Sequence, residues 1–262
     1  MWDKCTISNS MAIFITMEYT IKSYRFAEEI IEHANHRSGL DAIKRVITEC
    51  PLYLYPNKSR TNRRLDVVQQ LLNTYFDQRF VGELGWTYHP DATNIADSAL
   101  KADFRTQFNG LRVQTEVQFG NMARWYSDIF KFQTAYSQDL IDMGLCIVPK
   151  SSLALRIDSN ITNFERCIRE LPSAKLSITL PILMIGLEVG ASTPQHDVSH
   201  YPISRRMSDI IGKGRTENRY RLVYGIMNNT PLEELTDQSP TGQMAAIAGE
   251  PIDDNEDVDL ET

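Results

Sequence analysis

The sequence predicts a mixed α/β fold in which a central mixed β-sheet is flanked by helices. Three observations carry that expectation. An Asn109-Gly110 pair lies between strand-like flanks. Beyond it, the apolar runs 143–148 and 177–189 alternate with segments of helical periodicity. The chain has 262 residues with no internal repeat, long enough to bury one large core.

Taken in order, residues 24–36 and 39–49 read as two helices separated at Ser38-Gly39. A third is expected over about 62–76, where Leu65, Val68, Leu71, Leu72 and Tyr75 recur at helical spacing. His89-Pro90-Asp91-Ala92-Thr93 reads as a loop. The hairpin follows over 102–119, then a helix over 122–136 and a strand over 143–148. Thr162 or Asn160 is expected to cap a helix running to about Leu171. The run 177–189 reads as a strand, with Pro181 suited to an edge or bulge. Strands alternating with helices after a hairpin imply a mixed sheet covered by helices.

The hairpin concentrates the chemistry. Asn-Gly is the strongest short hairpin signal, because both turn residues must adopt positive φ. A two-residue turn there pairs Phe108 with Leu111, Arg105 with Gln114 and Asp103 with Glu116. Opposed carboxylates repel, so this pairing costs stability unless something compensates. Side chains alternate along a strand, which puts Arg112, Gln114, Glu116 and Gln118 on one face and Val113, Val117 and Phe119 on the other. Asp103, Glu116 and Gln118 can therefore converge. Two carboxylates and an amide carbonyl suit a hard cation, Mg²⁺ above all. A solvated polar face on an edge hairpin is the competing reading.

Asp103, followed by Glu116-Val117-Gln118-Phe119-Gly120-Asn121 and an aromatic helix, resembles the active-site stretch of the BglII/BstYI group of type II restriction endonucleases. Those enzymes have the PD-(D/E)XK nuclease core with glutamine where most relatives carry lysine, and Gln118 takes that place. Weaker echoes are Leu54-Tyr55-Pro56 ahead of the 62–76 segment and the stretch Ser159-Asn160-Ile161-Thr162-Asn163-Phe164-Glu165. The resemblance runs from about Leu52 to Val189. The spacing from Asp103 to Glu116 is longer than in that group, which equal lengthening of both strands accommodates. It implies a restriction-endonuclease-like core. It also implies a Mg²⁺-dependent endonuclease acting as a homodimer on a palindromic site in double-stranded DNA. Asp103 and Glu116 would be catalytic metal ligands, and Gln118 would position water or phosphate. Asn121 and Arg124, with Ser159 and Asn160, would contact DNA bases. Capping roles suit Asn121, Ser159 and Asn160 equally well by residue type. His89 lies where a further active-site group could come from.

Apart from the residues that carry the resemblance, Lys58, Arg60, Arg63 and Arg64 form a basic cluster suited to phosphate contacts. Arg205, Arg206, Lys213, Arg215, Arg219 and Arg221 form a second. The net charge of -7 is uneven: ten acidic residues and no Lys or Arg fall within 231–262, leaving residues 1–230 positive. The expected organisation is one nuclease domain over 1–230. It comprises N-terminal helices over 1–80, a catalytic core over about 81–190, and a basic extension over 191–230. Residues 231–262 would be a flexible acidic tail. That tail would serve solubility or compete with DNA for the basic cleft. Residues 1–17 read as a structured segment and not a signal peptide. No apolar run is long enough to span a membrane. Cys5, Cys50, Cys146 and Cys167 lack metal-ligand spacing and read as reduced cysteines of a cytoplasmic protein. The 122–136 helix is aromatic around much of its circumference, through Trp125, Tyr126, Phe130, Phe132 and Tyr136. It reads as either an internal helix or a dimer interface. Two further functions fit the same core: a DNA repair or structure-specific nuclease, and a DNA-binding protein without catalysis.

Overall fold

A computed structural model describes residues 16–211 and 215–248. In chain order the elements are strand β1 (Glu18–Tyr24), helices α1 (Ala27–Ile31) and α2 (Arg37–Thr48), β2 (Leu52–Leu54) and α3 (Gln69–Asp77). A wider π-helical segment continues α3 over Gln78–Glu83. Then come β3 (Thr87–Tyr88), β4 (Phe104–Phe108), β5 (Leu111–Val117), α4 (Met122–Ser137) and β6 (Met143–Pro149). They are followed by α5 (Ser151–Ile157), α6 (Phe164–Glu170), β7 (Ile182–Glu188), β8 (Gln195–Asp197), α7 (Thr216–Met227) and α8 (Met244–Ile247).

Six strands form the central sheet in the order β1-β7-β6-β5-β4-β3, and β2 pairs with β8 in a small parallel sheet. The β5-β6-β7 centre is parallel, and the flanking pairs are antiparallel. Helices cover both faces, so the central strands are apolar on both sides. Leu145 and Ile147 of β6 and Leu183 and Ile185 of β7 face a core shared with α2, α3 and α7. Their neighbours Cys146, Val148, Ile182 and Met184 face a second core under α4 and α6. Gly144 lets α4 approach closely, since a Cβ there would sit 3.0 Å from the Phe132 ring.

The expected mixed sheet with flanking helices is present. The hairpin has the expected register, with Phe104 opposite Thr115, Arg105 opposite Gln114 and Phe108 opposite Leu111. Asn109 and Gly110 take φ of 46° and 93°, as the turn requires.

Several expected elements differ. The third helix begins at Gln69, because Asp66 is drawn into a two-pronged ion pair with Arg156 and the Val67 amide bonds the Arg156 carbonyl. The helix near 164 is capped by Asn163, whose side chain accepts from the Arg166 amide at 3.0 Å, and not by Thr162 or Asn160. The last large strand starts at Ile182. Pro181 precedes it and contributes a carbonyl to the Gly144 amide at 2.9 Å. Strand β1 lies ahead of the first expected helix and pairs with β7; it takes in only Tyr24 of the expected span 24–36, of which α1 covers Ala27–Ile31.

The boundary expected at 230 also differs over the described residues. Leu235 is 1% exposed and Met244 0% exposed, both within the main core, so residues 231–248 pack onto the domain. The acidic stretch 249–262, residues 1–15, Cys5 and Lys213 lie outside the described residues. Cys50, Cys146 and Cys167 are buried free thiols.

Leu235 abuts Gly225 on α7, where an added Cβ would come within 2.8 Å of a Leu235 methyl. Leu235→Ala should therefore cost about 2–5 kcal/mol in urea unfolding, as for other buried leucines. A change within 0.5 kcal/mol, roughly the surface value, would show that this segment is only loosely attached.

Candidate active site

Strand β5 carries the site because one of its faces is polar. Val113 and Val117 point into the main core, and Gln114 and Glu116 point the other way, beneath α4. That face is closed to solvent, since Gln114 and Glu116 are each 0% exposed. The solvated-edge reading therefore fails. A buried carboxylate must be paired or protonated. Glu116 Oε1 accepts from Gln114 Nε2 at 3.0 Å, and Oε2 accepts from Lys131 Nζ at 2.6 Å. Lys131 also meets Asp128 Oδ1 at 2.8 Å.

Asp103 lies just ahead of β4, where the hairpin register brings it opposite β5. Its Oδ2 accepts from the Val117 amide at 2.8 Å, and its carbonyl accepts from the His89 amide at 3.0 Å. Gln118 is held at both ends of its amide. Its Oε1 accepts from the Gly120 amide at 2.6 Å, and its Nε2 donates to Asp128 Oδ2 at 2.7 Å. A Cβ at Gly120 would come within 2.6 Å of Gln118 Oε1, so a larger residue there would displace the Gln118 amide.

The charges are tightly linked. Burial, then Asp103 and Asp128, push the Glu116 carboxyl well above the usual range, against the pull of Lys131. Burial likewise raises Asp128 to about 6, although Lys131 opposes it. Burial also disfavours the Lys131 ammonium. Glu116, Asp128 and Asp103 more than offset that and hold it above its ordinary value. These tendencies conflict for the Glu116–Lys131 pair. The 2.6 Å contact favours an anionic carboxylate facing an ammonium. His89 stacks on Tyr88 at 3.8 Å between ring centroids. Burial lowers its pKa, and Asp103 works the other way.

Asp103 and Glu116 thus lie within electrostatic reach of each other, Gln118 reaches the same cluster through Asp128 with its carbonyl taken by the Gly120 amide, and Asp128 and Lys131 join them unforeseen. One signal for these two is present in the chain. They interrupt the inward series Met122, Trp125, Ile129 and Phe132 with charge at i,i+3 spacing.

The expected base-contacting residues gather at the carboxyl ends of β5 and β6. Asn121 caps α4, its Oδ1 accepting from the Ala123 and Arg124 amides at 3.0 and 3.2 Å. Arg124 is exposed one turn along. Ser159 and Asn160 are exposed in the turn after α5, with both amides bonded to Asp158 Oδ1. That turn is joined to the start of α4 by a Thr162 amide bond to the Gly120 carbonyl at 2.8 Å.

Arg60, Arg63 and Arg64 are exposed on the neighbouring 58–64 loop. Lys58 departs from expectation. Its ammonium is turned inward onto the Val67 and Ile157 carbonyls, and burial pushes it down to about 8. Lys58 anchors the loop and is not free to meet phosphate. In the second basic cluster, Arg206 pairs with Asp209 and Arg221 with Glu217, Arg219 is buried, and Arg205, Arg206 and Arg215 are exposed.

Among the described residues no three His, Cys, Asp or Glu side chains form a ready-made metal cluster. No helix there is long and apolar enough to cross a membrane.

The restriction endonuclease BglII/BglIII family model matches residues 19–187. A crystal structure of restriction endonuclease BglII complexed with a DNA 16-mer is similar in fold. Its TM-score is 0.54 at 16% identity, over 66% of this chain and 78% of that one. A structure of free BglII gives a TM-score of 0.48 at 18% identity, over 66% and 80%. No curated protein sequence is similar enough to this chain to count as a match. The family match spans the whole central sheet from β1 to β7 apart from the terminal residue at each end, and on it the chain belongs to the restriction endonuclease BglII/BglIII family, type II site-specific deoxyribonucleases.

Proposed function

We propose that the chain is a Mg²⁺-dependent endonuclease cutting double-stranded DNA at a palindromic site as a homodimer, with Asp103, Glu116 and Gln118 at its reactive centre. The observation that carries this reading is the fully buried Glu116 carboxylate beside Asp103 at the end of the hairpin. Three carboxylates interact there, those of Asp103, Glu116 and Asp128, against one ammonium. The donor set fits Mg²⁺, which binds through one or two carboxylates and takes its other ligands from water and phosphate. Asp103 and Glu116 would hold it. When bound it supplies a Lewis acid for an inert, anionic phosphodiester and lowers the pKa of a water.

The chain's own residues set the geometry. The Val117 amide fixes the Asp103 carboxylate, and the Gln114 amide fixes Glu116. Gln118 is locked by Gly120 and Asp128, and so can orient water or phosphate without adding charge.

The surface around the site supports duplex binding. The start of α4, the 158–160 turn and the exposed arginines of the 58–64 loop adjoin one another. Phosphate contacts from Arg60, Arg63 and Arg64 would position the duplex, and Asn121, Arg124, Ser159 and Asn160 would read base edges. Asn121 spends its side-chain oxygen on capping, which leaves its amide NH₂ as the group that reads a base.

Helix α4 separates the two roles its aromatic residues suggested. Trp125 is 2% and Phe132 0% exposed, packed within the subunit. Tyr126 and Phe130 are 47% and 61% exposed, one turn apart on the outer face. A twofold contact through that face would match the symmetry of a palindrome.

Asp103→Asn and Glu116→Gln keep the shapes of these side chains and remove a metal ligand. Each should slow plasmid cleavage in Mg²⁺ by about two orders of magnitude or more, the several kcal/mol a catalytic metal supplies. DNA binding without metal should persist. Cleavage by Asp103→Asn at the wild-type rate would overturn the assignment. Phe130→Glu should convert a dimer to a monomer in light scattering, because burying an unpaired charge costs several kcal/mol. A wild-type monomer at full activity would remove the dimer from this account. Asn121→Ser preserves a capping oxygen and deletes the NH₂ donor. It should relax preference at one symmetric base position by roughly 1–3 kcal/mol in cleavage-site sequencing, and an unchanged preference would leave Asn121 as a cap alone.

A further inference from the structure

Charge beneath α4 is delivered from an unexpected direction. Lys131 projects from the helix into a pocket closed by two carboxylates. Its side chain is 12% exposed, against 1% for Glu116 and 5% for Asp128. Lysine is seldom this enclosed, and a pair of buried charges is often no more stable than an apolar replacement. Stability alone is therefore a weak reason for this residue at this position.

Counting charge points the same way. Glu116, Asp128 and the half-buried Asp103 carry three formal negative charges, and Lys131 supplies one positive. Lys131 does not neutralise the cluster; it leaves room for a divalent cation.

The position of the ammonium is specific. Gln118 Nε2 ends at one oxygen of Asp128 at 2.7 Å, and Lys131 Nζ ends at the other at 2.8 Å. The strand residue and the helix residue therefore bring their tips to the same carboxylate. Gln118 brings a neutral amide, and Lys131 brings a full charge to that neighbourhood while touching Glu116 as well.

We propose that Lys131 is the cationic group of the reactive centre, supplied from α4, where it stabilises the negative charge that builds on the scissile phosphate. This rests on the nuclease reading above. Phosphodiester cleavage concentrates negative charge in the transition state, and a fixed cation in a closed site acts on it strongly. Asp128 serves as a positioning residue, holding Lys131 and Gln118 with one oxygen each. The alternative is that Lys131 only neutralises Glu116 and Asp128.

The test compares wild type, Lys131→Met and the exchange variant Gln118→Lys/Lys131→Gln. Three readouts are needed: single-turnover plasmid cleavage at saturating Mg²⁺, Mn²⁺ affinity from the EPR signal of the free ion, and thermal melting. Lys131→Met should bind Mn²⁺ at least as tightly as wild type, since a competing cation is gone. It should nevertheless cleave roughly a hundredfold more slowly, as when a preorganised charge-stabilising group is deleted. The exchange variant keeps the net charge and returns an ammonium to Asp128 from the strand, so it should recover about tenfold or more of that loss. The inference falls if Lys131→Met cleaves within about threefold of wild type, or if its loss is erased by raising Mg²⁺. It also falls if the exchange variant melts and binds Mn²⁺ like wild type but recovers no activity. Should Lys131→Met not fold, the exchange variant compared with wild type decides the question by the same criterion. A wild-type protein that cuts no DNA in Mg²⁺ would instead bring down the nuclease reading itself.

Discussion

The pairing of the buried Glu116 carboxylate with the Lys131 ammonium constrains everything around it. Strand β5 sits inside a sheet covered on both faces, so a charge on it has no water to turn to. An unpaired charge in such a place costs several kcal/mol, and removing one partner of a buried pair commonly costs about 3–5 kcal/mol. Helix α4 must therefore cross β5 with Asp128 and Lys131 facing down. That fixes its rotation. Trp125 and Phe132 then fall into the second core, and Tyr126 and Phe130 fall outside. The same rotation carries Asn121 to the end of β5 beside Gln118. One electrostatic requirement thus sets the buried charge cluster, the start of the helix and the exposed aromatic face.

The polypeptide reaches this arrangement through the parallel centre of the sheet. In open α/β sheets, ligands gather at the carboxyl ends of parallel strands. Here β5 runs into Gln118, Gly120 and Asn121, and β6 runs through α5 into the 158–160 turn. Hydrogen bonding between Thr162 and Gly120 ties the two loops together. Lys58, turned inward, holds the 58–64 loop against the end of α5. A residue expected to bind phosphate instead positions three arginines. The net charge of the chain gives no hint of this local surface, because much of the acidic charge lies far along the sequence.

What the sequence disclosed follows the range of the interactions involved. The hairpin register depends on a two-residue turn and on strand alternation, both local, and Asn109-Gly110 was enough to align Asp103 with β5. Likewise, the helix expected over 122–136 matches α4 almost to the residue. Lys58 could not be read correctly, because its partners are the Val67 and Ile157 carbonyls, the latter 99 residues away. The start of α3 is likewise not set locally, because Asp66 is claimed by Arg156, again a long-range pair. The 231–248 segment looked like tail because its composition is polar and acidic. Leu235, Met244 and Ala248 nevertheless dock it on the main core, and composition averages conceal them. Asp128 and Lys131 were legible only as charges out of place on an apolar helix face, and assigning them a purpose required knowing that Glu116 lies beneath.

The most direct test of the central claim is the location of a divalent cation in crystals. Anomalous diffraction from crystals grown with Mn²⁺ and a cognate duplex should give a peak within coordination distance of both Asp103 and Glu116, about 2.0–2.3 Å from their oxygens. The peak should vanish in Asp103→Asn. A peak bound elsewhere, or a duplex held at the surface with Asp103 and Glu116 free of metal, would contradict this account of the site.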